Sequence, residues 1–229
     1  MNVSVVTLVN DKSLYDKMVC GSIPLDYELI PIYKARSAAQ GLNLGIQKAS
    51  NDLIICCHQD VSFPENFNNT LQEQLKLIGG DFGVVGTFGM GLEYRPSGNI
   101  YNPHPKKLAG GVLPCQALSL DEHCLILRRS SGLLFDESYS GFHMYGADIC
   151  LQAFEKSLTN YIIDSGVNHL SKGKFDKTFD EAVVFFIQKW RDKINLDRFE
   201  TMCCIVDFKR RRWMGRNNHQ RHDFIKRNL

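Results

Sequence analysis

The first sixty residues switch between two hydrophobic periods. Val3 to Val9 is a short β-branched run closed by Asn10-Asp11, and Tyr27 to Ile32 is a second, bounded by Pro24 and containing Pro31. Short, nearly continuous apolar runs between turn residues read as buried strands. Between them, Ser13 to Val19 has the length of a short helix. After the second run Ala38, Leu42, Ile46 and Ala49 recur at helical spacing, and Asn51-Asp52 stops that helix before a third apolar run, Leu53 to Cys57. Strand, helix, strand, helix, strand within one short stretch predicts a parallel α/β sheet. Ligands of such sheets gather at the carboxyl ends of the strands.

Downstream, Pro64 stands in the favoured first turn of a helix running to Leu77, ended by Gly79-Gly80, and Phe82 to Gly86 is a fourth strand. Gly89 to Leu113 is rich in Gly, Pro and Asn and reads as a long loop, a wall or lid for a substrate. Leu118 to Leu127 resumes strand character, Gly146 to Lys156 is helical, Thr159 to Ile163 is a late strand, and Phe179 to Ile194 is a strongly apolar helix. The expected organisation is an α/β domain over residues 1–195 followed by a helical, basic extension over 196–229.

Composition sharpens this picture in three places. With 229 residues, 44% of them hydrophobic, the chain can bury a sizeable core. Its eight cysteines include two adjacent pairs, Cys56-Cys57 and Cys203-Cys204, and no CxxC spacing, which fits reduced, buried thiols better than a disulfide framework. The N-terminus lacks a signal-peptide pattern and no stretch approaches the roughly 20 apolar residues of a membrane span, so the cytosol is the expected compartment.

Net charge is +2, unevenly spread. From Asp207 onward eight Lys and Arg face two Asp, a local balance of +6 that leaves −4 for residues 1–206. Basic residues interleaved with Trp213 and Phe224 suit three roles: a solubilising terminus, a patch that docks on the inner face of an anionic membrane at about 1 kcal/mol per basic residue, or nonspecific RNA binding. No specific nucleic acid is expected.

The chemistry concentrates at His58-Gln59-Asp60, directly after the third apolar run. Residues i and i+2 of an extended segment point to one side, so His58 and Asp60 can hold a divalent cation together. Asp60 alone would equally be a turn or helix cap. An imidazole–carboxylate pair suits Mn²⁺ better than an all-oxygen Mg²⁺ site, with substrate phosphates completing the shell. His169, after the late strand, is a third candidate ligand or else a loop histidine; a late strand lying beside the third would bring it to Asp60. Asp148, in the first turn of a helix, is either a dipole-satisfying carboxylate or a general base for an acceptor hydroxyl, with Asp136 and Glu137 nearby in sequence. The glycines Gly86, Gly89 and Gly91 do not form GxGxxG, and GxxxxGK[ST], GxSxG and HExxH are all missing, which argues against nicotinamide, P-loop, serine-hydrolase and zincin chemistry.

Taken together, these residues resemble a family 2 glycosyltransferase of the GT-A fold, in the prokaryotic branch associated with capsule and other surface-glycan synthesis, over roughly residues 1–190. The resemblance implies a Rossmann-like, mostly parallel central sheet flanked by helices. It places the nucleotide on Thr7, Val9 and Asn10 after the first strand and on Ile32 at the end of the second. It assigns Arg36 and Asn43 to the family's helix pattern, with Arg36 either on phosphate or solvated. It matches His58-Gln59-Asp60 to the metal-binding DxD motif, with His in the first position. That leaves His58 and Gln59 toward ribose or metal-bound water, Asp60 as metal ligand, and His169 as the late metal-binding histidine. It makes Asp148 the catalytic base, with Ala147 where the family has Glu. The implied activity is transfer of a sugar, of hexosyl type, from a nucleotide-diphosphate sugar, UDP-sugar favoured, to a glycan or lipid-linked glycan, with Mn²⁺ or Mg²⁺ and inversion. The departures at His58 and Ala147 leave a noncatalytic nucleotide-sugar-binding protein as one alternative, and the basic tail leaves an RNA-associated module as another.

Overall fold

The computed structural model describes residues 1–101, 112–171 and 176–216. The first half alternates as the sequence predicts: β1 (Val3–Val9), α1 (Lys12–Tyr15, continued by a π-turn to Cys20), β2 (Glu28–Tyr33), α2 (Ala38–Lys48), β3 (Leu53–His58), a two-residue β4 (Val61–Ser62), α3 (Phe67–Ile78) and β5 (Phe82–Gly86). There follow β6 (Phe88–Gly91), β7 (Pro96–Gly98), β8 (Ile100–Tyr101), β9 (Cys115–Leu120), β10 (Cys124–Arg128), α4 (Tyr145–Glu155), β11 (Thr159–Ile162), β12 (Val167–His169), α5 (Lys177–Trp190), β13 (Arg198–Glu200), β14 (Cys204–Asp207) and β15 (Arg212–Gly215).

Nine strands form one sheet in the order β2-β1-β3-β10-β5-β11-β9-β6-β7. β1 pairs in parallel with both β2 and β3, with Leu8 opposite Ile32 on one side and His58 on the other, so the carboxyl ends of these three strands share one edge. Strand alternation splits the apolar runs between two cores. Val6, Ile54 and Cys56 face α2 and α4, packing with Leu42, Ile46 and Ile149. Val5, Ile55 and Cys57 face α3, packing with Phe67 and Leu71.

Helix α2 lies unusually close to β1. Ser37 caps it, its side chain accepting from the Gln40 N–H. A Cβ placed on Gly45 would stand 2.1 Å from Val6 Cγ1, and one on Gly41 2.6 Å from a Leu8 methyl, so both glycines permit the approach.

Three expectations are corrected. The single strand expected from Leu118 to Leu127 is two, β9 and β10, parted by Asp121-Glu122-His123 and separated in the sheet by β5 and β11. The loop expected over Gly89 to Leu113 contains the β6–β7 hairpin and β8, while residues 102–111 lie outside the described ones. The C-terminal extension is not helical over 198–215: β13, β14 and β15 make an antiparallel sheet. Cys204 and Val206 face inward and Ile205 and Asp207 lie less buried, a period-two pattern, and Phe199 and Phe208 pack with Phe186 and Trp190 of α5.

Helix α4 and the segment before it close the sheet on the α2 side, with Met144 in the left-handed region (φ 64°) turning the chain into the helix. A small second sheet, β4-β12-β8, sits just beyond the end of β3, with His169 opposite Val61. The late segment that reaches Asp60 is therefore β12 on β4; the neighbour of β3 itself is β10.

Candidate active site

The carboxyl edge of β1, β2 and β3 opens into a cavity of about 800 Å³, a size usual for small-molecule sites. Its apolar part is made by Leu8, Ile32, Leu42 and Cys56, and its polar end by Asn10, His58, Gln59, Asp60 and Glu122. Lys34 is the Lys or Arg on the wall among the described residues and holds a left-handed backbone (φ 55°), conformational strain of the kind found where a side chain must be aimed. Gln59 knits the rim: its Oε1 accepts from the N–H groups of Asn10 and Asp11, both at 2.9 Å, and its Nε2 donates to Asn10 Oδ1.

His58, Asp60 and His169 converge at the polar end, with one ligand atom from each lying within 4.8 Å of the others. His58 Nδ1 is 3.2 Å from His169 Nε2, which is 3.4 Å from Asp60 Oδ1. Ligands bound at about 2.0–2.2 Å and set at right to tetrahedral angles stand roughly 3–3.5 Å apart, and the His58–His169 and His169–Asp60 pairs have that spacing, which suits ligands of one divalent cation. The other His58 nitrogen, Nε2, lies 3.0 Å from the Tyr145 hydroxyl, which also reaches the Glu122 carbonyl at 3.4 Å. The arrangement satisfying both contacts has Nε2–H donating to tyrosine and the tyrosine donating to the carbonyl, which leaves the Nδ1 lone pair for a cation. Behind His169 the ring of His123 stacks at 5.4 Å, itself held by Asp121 at Nδ1 (2.7 Å) and Thr87 at Nε2 (2.8 Å).

The electrostatics agree with these contacts. Burial, reinforced by the charge of His169, lowers the His58 imidazole to about 4, keeping it neutral and able to ligate. Burial alone would raise the Asp60 carboxyl, but the hydrogen bond and charge of His169 hold it well below the ordinary carboxylate range. Asp121 is likewise held low, against its burial, by His123. Glu122 goes the other way: burial, with the charge of Asp121 adding to it, pushes its carboxyl up to about 8 despite the backbone N–H groups at the start of α4.

Of the residues expected from sequence, Val9, Asn10, Ile32, His58, Gln59 and Asp60 line the cavity and His169 joins Asp60. Four do not reach it. Thr7 is wholly buried, its hydroxyl 3.3 Å from Cys57 Sγ. Arg36 is exposed beside the start of α2. Asn43 is buried and pins a loop, exchanging hydrogen bonds with the Phe135 backbone and donating to Glu137. Asp148 is 1% exposed, and its carboxylate accepts from Tyr139, Gln152, Lys189 and the Trp190 indole. A carboxylate so enclosed ties α4 to α5.

Sequence reasoning missed Lys34, Asp121, Glu122, His123 and Tyr145. The available signal was the polar triplet Asp121-Glu122-His123 interrupting an otherwise apolar run, a place where a strand ends at a site.

No family model matches the chain. Over 208 residues, 82% of the chain and 83% of the relative, it is 28% identical to a protein of Fuscovulum blasticum named "ATP synthase subunits region ORF 6". Among solved structures it is similar to residues 1–349 of S. aureus TarS in complex with UDP-GlcNAc, with a TM-score of 0.53, 9% identity, and coverage of 86% of this chain and 68% of that one. The likeness to a longer S. aureus TarS chain has a TM-score of 0.55 and 9% identity and covers 86% of this chain and 40% of that one. The fold is of the GT-A kind. The central sheet and flanking helices are arranged as in GT-A glycosyltransferases such as TarS, a protein also crystallised with UDP.

Proposed function

We propose that the protein is a glycosyltransferase that takes a sugar from a nucleoside-diphosphate carrier, in the first instance a UDP-sugar, and passes it to a hydroxyl of a glycan or lipid-linked glycan. What carries this reading is the meeting of an apolar cavity and a His58–Asp60–His169 cluster at the carboxyl edge of a GT-A sheet. The apolar part accepts a base and ribose between Leu8, Ile32 and Leu42, and Lys34 offers a cation to phosphate.

His58, Asp60 and His169 would hold the cation, Mn²⁺ before Mg²⁺ because two of the three donors are imidazoles. When bound, such a cation neutralises charge developing on the departing diphosphate. The chain's own residues prepare that site: Tyr145 fixes the His58 ring, and His123, backed by Asp121, fixes the His169 ring. Gln59 holds the β1 and β3 loops together under the nucleotide.

Capsule or other surface-glycan synthesis is the proposed setting, with inversion at the anomeric carbon. The positive balance from residue 207 onward favours docking at an anionic membrane surface where a lipid-linked acceptor would lie. No helix among the described residues is long and apolar enough to cross a membrane. The sequestration of Asp148 gives a second reading some ground: a protein that binds nucleotide sugar without turning it over.

A thermal-shift screen of UDP, GDP, CMP and their sugars, with and without Mn²⁺, separates these readings. Stabilisation by UDP and UDP-sugars that needs Mn²⁺ is the expected result. No response to any nucleotide overturns the proposal, and binding without product release selects the noncatalytic reading.

A further inference from the structure

Resting on the transferase reading, we propose that Glu122 is the general base that takes the proton from the acceptor hydroxyl, the part that the sequence pattern gives to Asp148.

Glu122 is on the cavity wall with His58 and Asp60, whereas Asp148 is not. It belongs to the turn between β9 and β10, and its Oε1 accepts from the Gly146 N–H at 3.0 Å in the first turn of α4. A Cβ on Gly146 would come 2.8 Å from Glu122 Cγ and 3.1 Å from the Leu120 carbonyl, so the glycine makes the room in which this carboxylate sits. The Glu122 side chain therefore occupies the space that a side chain at position 146 would fill. Tyr145 bridges the Glu122 carbonyl to His58 Nε2, placing Glu122 one side chain away from the cation cluster.

The two carboxylates differ in what surrounds them. Asp148 has four side-chain donors, including Lys189, and is closed to solvent. Among the described residues the Glu122 carboxylate meets only backbone N–H groups, those at the start of α4 with Gly146 nearest, and has no cationic partner; the residue is half-buried at the cavity. Burial beside Asp121 strengthens its hold on a proton, pushing it up to about 8, near the working range in which a base is most effective.

The step balances as follows. A Glu122 oxygen takes the hydrogen of the acceptor O–H as the acceptor oxygen bonds to the anomeric carbon. The bond from that carbon to the diphosphate oxygen breaks, and its electron pair leaves with the nucleoside diphosphate. Glu122 then returns the proton to water. Attack opposite the leaving group inverts the anomeric centre.

The test uses the full chain with Mn²⁺ and a panel of UDP-sugars, water serving as acceptor, and follows UDP release. Glu122→Gln, which retains an acceptor for the Gly146 N–H, is expected to bind UDP within about threefold of wild type and to release it about 10²–10⁴-fold more slowly. Glu122→Ala with added azide, a nucleophile that needs no base, is expected to regain turnover and yield a glycosyl azide of inverted configuration. Wild-type-like turnover by Glu122→Gln overturns the assignment while leaving the transferase reading intact. So does a Glu122→Ala variant that melts as wild type, binds UDP and ignores azide. A wild-type chain that binds or releases nothing overturns the transferase reading, and the assignment with it.

Discussion

Asp148 and Glu122 show how little residue type decides without environment. Both are acids close to the start of α4, yet one is saturated by Tyr139, Gln152, Lys189 and Trp190 and the other belongs to the cavity wall. Lys189 also pairs with Asp136, so Asp148 is one corner of a buried network. Asp148→Asn leaves Lys189 paired with Asp136 alone and weakens the charge-assisted bonds of Tyr139, Gln152 and Trp190, and is expected to destabilise the fold by about 1–3 kcal/mol in urea melts. A variant with an unchanged midpoint but no turnover would return the base to Asp148. For Glu122 the proton linkage has the opposite sign from that of a paired acid. Its folded pKa, about 8, lies above the unfolded value near 4.5, so the folded state keeps a proton that the unfolded state gives up. Its penalty on stability is absent below about pH 4.5 and grows as pH rises toward 8. Glu122→Gln is therefore expected to melt close to wild type at pH 4.5 and above it at pH 8; the same difference at both values would contradict the buried, proton-holding environment. His58 and Asp60 were legible because they end an apolar strand at the carboxyl edge of a parallel sheet, although β3 stops at His58 and a turn at Gln59-Asp60, not extended backbone, brings the two together. Glu122 was not, because it sits in a three-residue turn without Gly or Pro that looks, in sequence, like the middle of a strand.

At the scale of elements, periodicity succeeded where each run had one role. β1, β2, β3 and β5 and the helices α2, α4 and α5 follow from apolar runs and helical spacing, with ends displaced by a few residues. It failed where a run served two strands, as in β9 and β10, and where the basic run from Lys209 onward drew the reading away from the short apolar strand just before it, β14. The glycines of α2 carry a further lesson, since helix propensity counts them as weak points while packing requires them. Gly45→Ala would drive a methyl into Val6, 2.1 Å from Cγ1, and is expected to destabilise by about 1–3 kcal/mol despite the better helix former. Stability equal to or above wild type in thermal melts would show that α2 can shift away from β1.

For the whole molecule, sheet order does what no local pattern could announce. β12 on β4 returns His169 to Asp60 from more than a hundred residues away, and the β9–β10 turn brings Glu122 to the same cavity. The charge asymmetry is a separate matter of scale: residues 1–206 carry −4 and the remainder +6. Within the described part of that basic segment, Arg210 and Arg212 meet Asp207 and Arg216 meets Glu200, while Trp213 packs on Phe179, so some of the tail is already used by the fold. Residues 217–229 lie outside the described ones. Cosedimentation with vesicles containing phosphatidylserine is expected to fall when residues 217–229 are deleted and to weaken with salt; unchanged cosedimentation would remove this segment from membrane docking. The central claim, that the His58–Asp60–His169 cluster serves a nucleoside diphosphate, is tested most directly by calorimetric titration of UDP into wild type and Asp60→Ala with and without Mn²⁺. Binding by wild type that tightens at least about tenfold with Mn²⁺, worth about 1.4 kcal/mol, and loses that gain in Asp60→Ala is the expected result. UDP affinity indifferent to both the metal and the substitution would contradict it.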